Sequence, residues 1–541
     1  MRECFTIMTL DKVAIGMIGL FLILTLFGTG PWYYLLLSIA QLVFVPLTLH
    51  LLGKAEQGFF GRILPYAAFL GPTAVFLLEM TQRTPWDIVL ALFYLTFTIL
   101  VACFGAKRLL QRGFARFEEF MIDIGCMYLA IGGAWYFASV VQLDTGFSPI
   151  LTWLTGIHFH YASFLLPVFA GFLGRLKQNR FYKMAGIAIL LAPILVAVGI
   201  SYAVVLELLG VMLYMIGIYS LIILAWKTSF SRSIQAWLIR LSFSALGISI
   251  LFSLCYAFGN MTGVFYVSID FMLRFHGVMN GVVFAMVGLI GWMINCPRPK
   301  AMHRSFPVSR IRGKRVIGEK VLADIKAKDT YSGLVDSMHV YEPQIKRESL
   351  SNSVIDFYEN TNDYRLFSQV KWHGWFKPFA WIYQHISKRI GQLNLPFSSK
   401  EVEMTGRIIG ISETVDGRTK PRVWLRKVNE ETIFVAIYSF HEGEDRTYMD
   451  IALPLPGSTM IGTLALQNKH GNLQLTSKQQ ENAQQAGIYL AVGRQLLKLP
   501  LEETFVVGEE QDGSLRATHK MRIFSIPFLT INYRIVDKNK G

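Results

Sequence analysis

Cysteine is scarce in this chain of 541 residues, and the five present, Cys4, Cys103, Cys126, Cys255 and Cys296, all precede residue 297. That excludes a disulfide framework or a cysteine-based zinc site in the C-terminal part, and it fits a reducing compartment. Charge is sparse as well: Asp, Glu, Lys and Arg make up 16% of the chain, against about 25% in ordinary soluble domains. Acids are the scarcer sign, 37 against 52 bases, for a formal net charge of +15. A cleavable leader is not expected either. Lys12 precedes an apolar run longer than a usual signal core, with no small-x-small site before Pro31, so the run is expected to remain as a first membrane span.

Apolar length, by contrast, is abundant. A hydrocarbon core of about 30 Å needs about 20 apolar residues in a helix. Runs of about that length cover 13–29, 32–53, 63–81, 86–106, 119–141, 150–174, 181–203, 206–226, 235–259 and 270–295. Helices are the expected form, because backbone amides find no water partner in lipid. Gly28, Gly30 and Pro31 leave only a tight turn between the first two, which either cross separately or form a re-entrant pair. The bases fall in alternate gaps: Arg2 and Lys12; Lys54 and Arg62; Lys107, Arg108, Arg112 and Arg116; Arg175, Lys177, Arg180 and Lys183; Lys227 and Arg232. The other gaps hold almost none, Arg83 excepted. The positive-inside rule then puts both termini in the cytoplasm and turns the gaps near 30, 83, 144, 204 and 263 outward.

Composition changes after the tenth run. A basic juxtamembrane linker, 297–362, opens with Arg298, Lys300, Arg304, Arg310, Arg312, Lys314, Arg315 and Lys320. Anionic lipid is its expected partner, at about 1 kcal/mol per base near the surface; nucleic acid is not expected. The segment 363–400 interleaves aromatics, among them Trp372, Trp375 and Trp381, with bases including Lys371 and Lys377. It reads either as an amphipathic helix at the lipid headgroups or as a lid on the next domain's core. From Glu401 to the end, short Val-, Ile-, Thr- and aromatic-rich runs alternate with turns such as Asp416-Gly417, His470-Gly471 and Asp512-Gly513. They predict an antiparallel sheet of about eight to ten strands, strongly curled or barrel-like. Such a sheet encloses an apolar ligand or, more commonly, a filled core.

Ionisable residues at membrane depth are costly and usually face a protein interior. The sixth run carries His158, His160 and Ser163, and the tenth carries Asp270, Arg274, His276 and Asn280. Each helical residue advances about 100°, so His158 and His160 point about 200° apart and cannot serve one ion on a regular helix. His276 and Asn280 share a face, and Arg274 is expected to pair with Asp270. One of the paired histidines facing His276 and Asn280 is the simplest polar site. Two readings of His158, His160 and His276 stay open: interhelical hydrogen bonding, or a divalent zinc or iron site. Glu118-Glu119 lacks the downstream arginine expected of a paired-glutamate intramembrane protease and is set aside.

The run His158-Phe159-His160-Tyr161-Ala162-Ser163-Phe164-Leu165-Leu166-Pro167 resembles that of the YndJ-like bacterial membrane proteins. So do His276-Gly277-Val278-Met279-Asn280-Gly281, Leu499-Pro500-Leu501-Glu502-Glu503 and Ile531-Asn532-Tyr533-Arg534-Ile535. The resemblance implies a multi-pass bacterial cell-membrane protein and carries over no catalytic residue. The expected fold is an α-helical polytopic bundle, 1–296, followed by a cytoplasmic β-rich domain, 401–541. Binding or sensing of a lipid or other apolar ligand is the leading functional expectation. A metal-dependent lipid hydrolase built on the three histidines is the alternative, and a transporter a third.

Overall fold

The computed structural model describes residues 8–53, 58–113, 116–299, 306–315, 317, 320–321, 331–444, 446–480, 482–493 and 495–539. The chain divides near residue 300 into two compact units. In the first, among the described residues, ten helices are long and apolar enough to cross a membrane: Leu10–Phe27, Tyr34–Gly53, Phe59–Met80, Asp87–Arg112, Phe117–Val140, Pro149–Leu176, Arg180–Tyr202, Val204–Trp226, Ser233–Thr262 and Ile269–Ile294. Each of the first two is long enough to cross separately. The second and sixth are the most enclosed. Both contain one wide π turn, at Ala40–Phe44 and Tyr161–Leu165, and two more interrupt the tenth. Such bulges re-aim side chains and cluster at functional sites. Outward-facing Leu22, Phe69, Ile99, Ile187, Ile216 and Ile248 are exposed, as lipid-facing side chains are.

The second unit is a barrel of antiparallel strands: β1 (Tyr364–Trp372), β2 (Val402–Gly410), β3 (Thr419–Val428), β4 (Glu431–Glu442), β5 (Thr447–Leu455), β6 (Ser458–Lys469), β7 (Asn472–Thr476), β8 (Gly487–Val492), β9 (Gln495–Lys498), β10 (Leu501–Glu509), β11 (Leu515–Ile523) and β12 (Ile526–Asp537). Ten of them close a ring in the order β1-β2-β3-β4-β5-β6-β7-β10-β11-β12, with β12 paired back to β1 over the whole of β1. The β8–β9 hairpin branches from the first half of β6, Ser458 opposing Val492, while the second half of β6 pairs with β7. Closure removes the exposed strand edges that invite wrong partners.

Turn chemistry follows the register. β3–β4, β6–β7 and β11–β12 are joined by two-residue loops, Asn429-Glu430, His470-Gly471 and Phe524-Ser525, with both residues at positive φ. That is the hairpin geometry matching strand twist, which Asn-Gly adopts most readily. Phe524-Ser525 adopts it without either residue, at φ of 50° and 65°.

Two parts of the sequence reading are corrected here. Residues 331–362, expected to be linker, belong to the barrel core: Leu334, Met338, Tyr341, Val354 and Phe357 are buried in one cluster with Trp424, Leu466, Leu475 and Ile531. Residues 363–400 are not one amphipathic segment. Their first nine form β1, whose alternating burial makes it a wall strand, and only Lys377–Ile390 is a helix. A second apolar cluster packs Ile311 and Ile317 against Val423, Val435, Ile437 and Ile461 on strands β3, β4 and β6.

One wall of the barrel holds a buried histidine. His441 Nδ1 lies 2.5 Å from Asp450 Oδ2 and Nε2 lies 2.9 Å from Gln485 Oε1, with Thr463 donating to the other Asp450 oxygen at 2.9 Å. Phe306 and Tyr448 stack on the imidazole. Burial alone pushes its pKa down, but the hydrogen bond and charge of Asp450, with Gln485, outweigh it and hold the pKa above the ordinary value. The sign follows: this contribution to stability is complete below the ordinary imidazole pKa of about 6.5 and is lost as pH rises through the higher folded value. Thermal unfolding of the barrel measured from pH 6 to 9 should therefore fall more steeply for the native chain than for His441→Gln. Parallel curves would remove His441 from the pH response.

Candidate functional site

Three polar or amphipathic arrangements stand out, two among the spans and one on the barrel. In the first, the sixth, ninth and tenth spans meet. The His158 and His276 rings lie 6.4 Å apart between centroids. Ser249 donates to Asn280 Oδ1 at 2.7 Å, which leaves its oxygen to accept from His276 Nδ1 at 2.9 Å; the Ser249 carbonyl is 3.0 Å from the same nitrogen. Nδ1 therefore carries the proton, and Nε2 accepts from Asn280 Nδ2 at 3.0 Å. His276 is a neutral imidazole with both nitrogens engaged. His158 donates Nδ1–H to the Leu154 carbonyl at 2.7 Å, so its Nε2 presents a lone pair, and the side chain is exposed.

The other expected members are elsewhere. His160 is fully buried on the opposite side of its helix, donating Nδ1–H to the Gly156 carbonyl at 2.8 Å and accepting from the Tyr94 hydroxyl at 2.6 Å. Ser163 is buried beside Tyr214. Arg274 is exposed, pairs with Asp270 at 2.8 Å and lies over the Trp32 ring. Of the two readings of His158, His160 and His276, a shared zinc or iron site would need His160 beside the other two, and here it faces Tyr94 with the π turn beginning only at Tyr161. Among the described residues no three His, Cys, Asp or Glu side chains are grouped to hold a metal ion.

The second arrangement was missed in the sequence. Arg108 of the fourth span reaches Asp123 at 2.6 Å and Glu119 at 2.8 Å on the fifth, and Arg175 of the sixth grips both Glu119 oxygens at 2.6 and 2.9 Å. Gln178 binds Glu118. Arg108, Glu118, Glu119 and Asp123 are all buried, and close backbone approach makes the room. A Cβ on Gly171 would stand 2.7 Å from the Glu118 carbonyl, and one on Gly105 2.6 Å from that of Asp123. The available signal was Glu118, Glu119 and Asp123 sharing a helix face at i, i+1 and i+4–5, with arginines at two neighbouring span ends. Removing one partner of such a network strands a buried charge, at about 3–5 kcal/mol.

The third is the aromatic and basic face of the barrel. Trp372, expected at the lipid interface, is buried instead; it is an inward residue of β1, donating to the Pro396 carbonyl at 3.2 Å and stacking on Phe376. Lys371, Trp375, Lys377 and Trp381 are exposed. With Trp375 at 46% exposure, Phe379 at 57%, Ile382 at 55% and Ile386 at 51%, the helix Lys377–Ile390 turns a large apolar stripe outward. Trp375 Nε1 donates to Pro527 at 2.9 Å, tying this stripe to the β11–β12 tip, where Phe524 and Ile526 are also exposed. Ile382, Ile386 and the tip were not singled out in the sequence.

A bundle of ten spans followed by a closed barrel defines a multi-pass membrane protein. The family model described as "YndJ-like protein" matches residues 35–284, which include the Glu119 network and the His158–His276 site. Over 459 residues the chain is 38% identical to "Uncharacterized membrane protein YndJ" of Bacillus subtilis (strain 168), covering 83% of this chain and 84% of that protein. The chain belongs to the YndJ-like family. No solved structure matches it.

Arg108→Met should lower the thermal midpoint of the full-length protein in lipid nanodiscs by several degrees, with Arg108→Lys intermediate because Lys lacks the planar fork. An unchanged midpoint for Arg108→Met would mean the network carries no stability.

Proposed function

We propose that this YndJ-like protein binds membrane lipid at the cytoplasmic face, with both termini in the cytoplasm and the barrel engaging anionic headgroups. The observation that carries the reading is the outward apolar stripe Trp375, Phe379, Ile382 and Ile386 with Lys371, Lys377, Lys388 and Arg389 around it. Soluble proteins rarely expose so many large apolar side chains together, and an apolar face rimmed by bases matches the headgroup boundary of an anionic bilayer. The strained tip adds weight. A phenylalanine held at positive φ with its side chain exposed is uncommon, and such strained positions cluster at functional contacts.

Two rival readings draw less support. A hydrolase with a shared metal needs His160 beside His158 and His276, whereas Tyr94 holds it. Storage of a long acyl chain inside the barrel meets, among the described residues, lumen cavities of about 50 and 60 Å³, too small for a lipid tail.

One cysteine tests lipid contact and sidedness together. With the native cysteines replaced, Ile382→Cys carrying an environment-sensitive dye should emit as in apolar surroundings in nanodiscs containing anionic lipid and be quenched by brominated lipid. In intact cells the same cysteine should be blind to a membrane-impermeant maleimide. Water-like emission in anionic nanodiscs would overturn the lipid reading; labelling in intact cells would overturn the sidedness.

A further inference from the structure

Among the described residues, Arg426 in the barrel lumen forms an ion pair with no carboxylate. Arg426 points inward from β3 and is 8% exposed. Its guanidinium lies between two aromatic faces, 4.4 Å from the centroid of Trp424 and 4.2 Å from that of Phe434, its cross-strand partner. Stacking covers the two faces and leaves the N–H edge directed into the lumen. Tyr533 is hydrogen-bonded to it, the Nε is buried with no hydrogen-bond partner, and among the described residues no carboxylate forms an ion pair with it. Glu503, which lines the second cavity with Arg426, lies 3.1 Å from His519. Cation–π contacts return less than burying an ion costs.

Two cavities, of about 50 and 60 Å³, share Arg426, Tyr438, Ile451, Phe505 and Tyr533 as a common waist. Glu503 lines only the second. In the first, Arg426 is the sole charged side chain, and the remaining wall is apolar apart from tyrosines, with Phe357, Met449, Leu475 and Val507 among its members.

We infer that the lumen binds a short-chain aliphatic monocarboxylate, its head on the Arg426 edge beside Tyr533 and its chain in the first cavity. A planar guanidinium matches a carboxylate through two parallel N–H···O bonds, and the apolar wall selects a hydrocarbon body over a free inorganic anion. The cavity size sets the chain at a few carbons. This internal site goes beyond surface lipid binding and fails separately from it, since the dye on residue 382 reports the outer face alone.

The test is calorimetric titration of the full-length protein in nanodiscs with butyrate, butanol and inorganic phosphate. Saturable one-to-one binding of butyrate is expected, with butanol and phosphate at least about tenfold weaker. Arg426→Met should abolish butyrate binding and, having removed a charge without an ion-pair partner, leave the ligand-free thermal midpoint unchanged or higher; a purely structural arginine would lower it. Tyr533→Phe, which keeps the ring, should weaken butyrate several-fold and serves if Arg426→Met does not fold. Absence of saturable butyrate binding, equal binding of butanol, phosphate binding as tightly, or undiminished affinity in either variant would overturn the inference.

Discussion

Everything in this molecule follows from the cost of leaving a backbone N–H or C=O without a partner. In lipid there is no water to supply one, so the N-terminal unit consists of helices that satisfy their own amides. In the C-terminal unit an open sheet would leave two long edges; pairing β12 with all nine residues of β1 closes the ring, and among the described residues the short β9 of the side hairpin is left as an edge. The same requirement explains why 331–362 is drawn into the core: a closed barrel has open ends, and Met338, Tyr341 and Phe357 are buried with the lumen residues.

Buried charge obeys a second rule, and the two units answer it differently. Among the spans, Arg108 and Arg175 are matched to Glu119 and Asp123, each arginine contacting at least one acid within 2.9 Å. Three helices are fixed to one another by a network whose members each depend on the rest. His276 is held by the side chains of Ser249 and Asn280, and His158 by a backbone carbonyl of its own helix. In the barrel, Asp416 is matched to Arg418 at 2.6 Å, while Arg426 has aromatic faces and, among the described residues, no ion-paired carboxylate. The contrast between these arginines separates architecture from a place prepared for something else.

Much of this was legible in the sequence. Ten spans follow from apolar length alone, which needs no long-range information. The division of labour between His158 and His160 follows from 100° per residue, and the Asp270–Arg274 pair from i, i+4 spacing. The strands after Glu401 announce themselves by alternation and by turns such as His470-Gly471. What was hidden depends on partners distant in the chain. β1 looked interfacial because Trp372 and Lys371 sit side by side, although alternation sends one inward and the other out. Arg108 and Arg175 were read as loop charges setting sidedness, since only packing of the fourth, fifth and sixth spans turns them onto Glu119. The isolation of Arg426 required knowing which strands flank β3.

Closure of the barrel through β12 and β1 is read out by hydrogen exchange on the full-length protein in nanodiscs. Amides of 364–372 should be protected to the same degree as those of 529–537, because each strand is the other's partner. Exchange across 364–372 at the rate of an open segment would contradict closure, and with it the account of the lumen.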